Sequence, residues 1–175
     1  WIAVPAALVV LCLAGMFYLN HEPPPFNPLA RATVHAQAHG HRVVPGYTAT
    51  ATLIETVEVL LNKRGGYLSN DILPSWVFLD NVPNWEFGVL TQVRDLARAM
   101  RNDFSRSQTQ STEDLDLSEA DPLFHYDNGR WIPPDTEGRY RNGVKALELY
   151  LTRLSSPSEQ TAQFYARADN LTDWL

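Results

Sequence analysis

NWEFGVLTQVRDLARAMRNDF, Asn84 to Phe104, decides the fold class. Its apolar side chains Val89, Leu90, Val93, Leu96, Ala97, Met100 and Phe104 recur at three- and four-residue intervals, which puts them on one face of a helix. Pro83 precedes Asn84, a good N-cap, and Glu86 sets negative charge in the expected first turn. Arg94, Arg98 and Arg101 share another face, with Asp95 available to Arg98. An arginine row of this kind invites an anion or a partner, but its commoner use is a solvated face or contact with acidic neighbours.

The flanking sequence repeats the pattern. Leu53, Ile54, Val57, Leu60 and Leu61 predict a helix from Thr48 to Lys63, ended by Gly65-Gly66. Tyr140, Val144, Leu147, Leu151 and Leu154 predict another from Thr136. Ser156, Pro157 and Glu159 have the order of a cap, a first helical position and a capping box, so a further helix is expected with Phe164, Ala168, Leu171 and Leu175 on its apolar face. Pro74 and Pro83 leave Tyr67 to Pro83 as an irregular aromatic cover. DLSEADPLFH is expected to make one or two helical turns from Ser118, and LFHYDNGRWI a small hairpin about Asp127-Asn128-Gly129.

The first nineteen residues, WIAVPAALVVLCLAGMFYL, carry no charge, and a run of that length is read as a helix through the roughly 30 Å hydrocarbon core. Trp1, Phe17 and Tyr18 suit the interfacial belts. The expected fold is therefore mostly α: a single N-terminal transmembrane helix (1–20), a proline-rich tether (21–46) and a soluble helical bundle (47–175) with a small β-hairpin. The apolar stripe at the end of the chain suggests a bundle that continues beyond Leu175. Arg31 and Arg42 are the first basic residues after the apolar run, a scarcity that points the bundle to the periplasmic side of a bacterial inner membrane.

The formal net charge of -6 disfavours nucleic acid as a partner. His35, His39 and His41 have metal-like spacing, yet no Cys, Asp or Glu lies among them to complete a site, so no metal is expected. Ser105, Ser107 and Ser111 have no evident His partner, and there is no P-loop, dinucleotide fingerprint, G-x-S-x-G or H-E-x-x-H. No catalytic residue and no cofactor is expected. Recognition is the alternative. Residues 105–112 form a polar exit from the helix in which Ser107, Gln108, Gln110 and Ser111 both donate and accept hydrogen bonds, beside the row Arg94, Arg98 and Arg101. Trp76, Trp85 and Trp131 are candidates for an exposed aromatic patch.

Four ordered runs, GGYLSND (65–71), LDNVPNWEFGVLTQVRDLARAMR (79–101), DFSRSQTQSTED (103–114) and QFYARADNL (163–171), resemble the domain of unknown function 2333 family. The resemblance covers most of residues 47–175. It implies proteobacterial, membrane-anchored relatives of greater C-terminal length, with no assigned activity and no catalytic residues to carry over. The leading expectation is an accessory or scaffold subunit that binds a membrane protein complex and meets the lipid bilayer through residues 1–19. An envelope enzyme or regulator acting on cell-wall or lipid material, and a periplasmic small-ligand sensor, are the alternatives.

Overall fold

Local signals set most of the helix boundaries. The computed structural model describes residues 3–71, 81–106, 112–132, 135–157 and 161–167; within them all regular structure is helical and there is no strand. α1 is Ala3–Leu19, α2 Pro28–His39, α3 Tyr47–Asn62, α4 Asn81–Ala99, α5 Leu115–Phe124 and α6 Thr136–Ser155, and α4 runs on as a π-helical segment, Met100–Phe104. α2 begins where Asn27 accepts from the Ala30 N–H and Pro28 takes the first position. It ends at Gly40, whose φ of 65° turns its N–H back to the Ala36 and Gln37 carbonyls. Asp114 caps α5 through the N–H groups of Asp116 and Leu117, and Asp135 caps α6 through Gly138.

α6 lies against α5 and α3, α4 joins α3 to α5, and α2 packs on α3. Tyr47, Leu53, Leu60, Leu90, Met100, Leu117, Phe124, Tyr140, Leu147, Tyr150 and Leu151 fill the shared core. α5 and α6 approach closely because Gly143 has no side chain: a Cβ there would lie 2.7 Å from the Phe124 ring.

Several expectations are corrected. Among the described residues no helix is long and apolar enough to cross a membrane. Over the described residues α1 runs for 17 residues, which rise roughly 25 Å against a core of roughly 30 Å, and its Leu19 is partly covered by Leu68 and Val82. The hairpin is absent as well. After α5 the His125 and Tyr126 N–H groups turn back to the Asp121 and Leu123 carbonyls. The Phe124 and Tyr126 carbonyls are taken by Arg94, and those of Asp127 and Arg130 by Thr136. These carbonyls go to the Arg94 guanidinium and to the hydroxyl and N–H of Thr136, not to a strand partner, and only the tight turn at Gly129 remains.

Part of the expected tether, Pro28–His39, is helical and buries Ala32 and Ala36. Residues 162–167, expected as helix, run without regular structure; the Tyr165 N–H reaches the Phe104 carbonyl and Phe164 stacks on Phe104. α4 starts three residues before Asn84 and α5 starts at Asp114's cap rather than at Ser118, while α6 starts at Thr136 with Asp135 as its cap. The aromatic cover over 72–80 lies outside the described residues, as do Trp76 and, in the polar loop, Ser107, Gln108, Gln110 and Ser111.

Candidate functional site

The arginine row is occupied from within the fold. Arg94 donates through Nε to the Phe124 carbonyl at 2.8 Å and through its terminal nitrogen to the Tyr126 carbonyl at 2.9 Å, closing the C-terminal end of α5. Arg101 holds Glu113 through two nitrogens at 2.9 and 2.8 Å and Asp121 through a third at 3.0 Å. Arg98 reaches His125, at 2.7 Å on the surface. Two of the three arginines therefore brace α4 against α5 and the chain leading into it. Arg94→Ala should cost about 1–3 kcal/mol by taking the donor from the Phe124 carbonyl and leaving the Tyr126 carbonyl to the longer bond from the Tyr140 hydroxyl, whereas Arg98→Ala should stay within about 0.5 kcal/mol. Urea titration of both variants checks the contrast. Trp85 is half-buried against the core, and Trp131 stands exposed.

The histidines of α2 do converge, though on a phenol. His35 Nδ1 lies 2.9 Å from the Tyr47 hydroxyl, and His35 Nε2 lies 3.1 Å from a Glu148 carboxylate oxygen. His41 Nδ1 reaches the same hydroxyl at 3.1 Å, and the His39 ring stacks on His35 with centroids 4.3 Å apart. If the His35 Nε2–H donates to Glu148, Nδ1 accepts the Tyr47 proton and the Tyr47 oxygen accepts from the His41 Nδ1–H, so every proton has one place. Burial, then His39 and His35, push His41 below the usual imidazole range, against the opposing pull of Glu148. Burial and Glu148 push Tyr47 up to about 12. Both ring nitrogens of His35 are engaged by protein groups, and among the described residues no three or more of His, Cys, Asp and Glu are placed to hold a metal ion.

α1 is the most unusual surface. Val4, Val9, Val10, Leu11, Phe17 and Tyr18 are all exposed, and no residue of the helix is buried. Its last turn is mounted on the loop after α3. Met16 and Leu19 pack on Leu68 and Val82, and Gly65, with φ of 83°, leaves space that Leu19 fills. The Arg64 guanidinium lies 5.4 Å from the centre of the Tyr18 ring.

Beneath the mount is a charged node that the spacing of the sequence did not reveal. The Glu86 carboxylate accepts from the Leu68 N–H at 2.8 Å, the Ser69 N–H at 2.9 Å and the Ser69 hydroxyl at 2.5 Å. It also pairs with Lys63 Nζ at 2.5 Å, and the two side chains are 0% and 2% exposed. Lys63 donates in addition to the Gly66 carbonyl. Burial, then Glu137 and Glu86, raise the nearby Asp71 carboxyl, with Lys63 opposing. The reading of Glu86 as a first-turn charge is therefore corrected: α4 begins earlier, and Glu86 faces inward to hold the 63–69 loop.

Residues 1–175 match a family model described as "Uncharacterized protein conserved in bacteria (DUF2333)". No curated protein and no solved structure matches the chain.

Proposed function

We propose for this chain, which belongs to the DUF2333 family of bacterial proteins, the role of a membrane-attached accessory subunit, held in lipid by α1 and offering its helical body to another membrane protein. The observation that carries this reading is α1 itself. A helix that is apolar on one stripe rests on a protein surface, whereas one that is apolar all round requires apolar surroundings on every side. Among the described residues, Met16 and Leu19 pack on the apolar surface of the body and Tyr18 meets Arg64, while Val4, Val9, Val10, Leu11 and Phe17 stand exposed and suit acyl chains. Tyr18 and Arg64, where α1 meets the body, are the residue types that sit at headgroup level. Trp131 and the adjacent Ile132, both about half exposed between α5 and α6, favour a protein partner on that face.

Vesicle flotation tests the attachment. With neutral phosphatidylcholine vesicles the full chain should rise with the lipid. The double variant Leu8→Lys, Leu11→Lys should remain below, since the strength of such attachment scales with the apolar area the helix can bury among acyl chains. A full chain that stays below, or a double variant that rises equally, would overturn the reading.

A further inference from the structure

α2 has little apolar hold on the rest of the protein. The side chains it buries are Ala32 and Ala36, two of the smallest available. Its polar ties are the exposed Arg31–Glu55 pair to α3 at 3.4 Å and the His35 contacts to Tyr47 of α3 and Glu148 of α6. The docking of α2 therefore depends heavily on one imidazole network.

We propose that His35, His41, Tyr47 and Glu148 form a two-proton latch that holds α2 on α3 and α6 near neutral pH and releases it in acid. The groups facing the network are few. α2 supplies His35 and His39, the following turn His41, α3 Tyr47, and α6 Glu148, while Arg31 and Glu55 are paired with each other. One added proton is accommodated. On His35 it makes Nδ1 a donor; neutral His41 then carries its one proton on Nε2 instead, which frees Nδ1 to accept the Tyr47 O–H, and the Glu148 carboxylate balances the imidazolium. A second proton, on His41, is not accommodated. The Tyr47 oxygen then faces N–H donors from both sides and its own proton has no acceptor among these groups. Two cations also share one anion, with the His39 ring 5.5 Å from His41.

The sign follows from the docked and released forms. Docked, His41 binds its proton more weakly than an ordinary imidazole; released, it regains ordinary affinity. Acidification through about pH 6.5 and below therefore favours release, and raising the pH restores docking.

Hydrogen–deuterium exchange of the full chain, corrected for the intrinsic rate at each pH, tests this at about pH 7.5 and about pH 5.5. Amides of α2 should lose protection roughly tenfold or more at the lower pH while α5 and α6 keep theirs. His41→Gln retains a neutral donor to Tyr47 and should keep α2 protected at both. Glu148→Gln removes the balancing anion and should move release toward neutral pH. Unchanged α2 protection in the wild type, or an equal acid loss in His41→Gln, would overturn the latch. Should His41→Gln fail to fold, Glu148→Gln decides alone: a release midpoint that stays or moves to lower pH rejects the proposal.

Discussion

Replacing Glu86 with alanine should lower the melting temperature by roughly 10 °C. The substitution removes the carboxylate that accepts from Leu68, from Ser69 twice and from Lys63, all on the loop between α3 and α4. Lys63 would then be a charge with almost no contact with solvent and without its paired carboxylate, left with the Gly66 carbonyl as hydrogen-bond partner and the weaker field of Asp71. Breaking a buried pair on one side costs about 3–5 kcal/mol, and each kcal/mol is worth about 2–4 °C at this chain length. Glu86→Gln keeps an oxygen for the loop amides but leaves Lys63 uncompensated, so it should fall between wild type and alanine. Adding Lys63→Met to Glu86→Leu should recover much of the loss, because the charge and its partner leave together. Thermal unfolding followed by circular dichroism ranks the variants, and a Glu86→Ala melt within a degree or two of wild type would mean that the pair carries no weight.

The second large effect concerns two glycines in helices, with opposite signs. Gly143 on α6 faces the Phe124 ring of α5, with ring carbons 2.7 and 2.8 Å from where its Cβ would stand. Phe124 is wholly buried, so the ring cannot swing into solvent. Gly143→Val should push α5 and α6 apart and cost about 3 kcal/mol. Gly88 on α4 is exposed, and a Cβ there meets nothing within 4 Å. Gly88→Ala should stabilise by about 0.5–1 kcal/mol through helix propensity alone. Urea midpoints measured on the same day distinguish the two, and a Gly143→Val variant as stable as wild type would refute the close approach.

What the sequence disclosed, and what it hid, follows from the range of the interaction. α3, α4 and α6 were legible because their stripes are local: Leu53 to Leu61, Val89 to Met100 and Tyr140 to Leu151 each report one buried face within a few turns. The ends of α2 were legible too, in Asn27-Pro28 and Gly40, but the prolines at 23–25 drew the reading toward extended chain. The hairpin misled because aromatic residues around Asp127-Asn128-Gly129 have a strand-like pattern. The side chains that claim its carbonyls come from α4 and from the start of α6. Glu86 was hidden for the same reason, since its partners lie 17 and 18 residues upstream and at Lys63. The three histidines were visible as a cluster, yet Glu148, 113 residues away from His35, gives it its character.

The π-helical segment gives α4 one residue more than a regular turn would use. The Ser105 N–H reaches back five positions to the Met100 carbonyl at 3.0 Å. That surplus acts as a vernier on the phase of the chain. Phe104 remains buried and stacks on Phe164 at 5.1 Å, while its carbonyl receives the Tyr165 N–H at 2.7 Å. Ring and carbonyl are both in register with a segment sixty residues downstream. At this point the number of residues is itself the specification: the exposed Asn102 can change identity freely, but dropping one position would straighten the helix and turn Phe104 away from both partners at once.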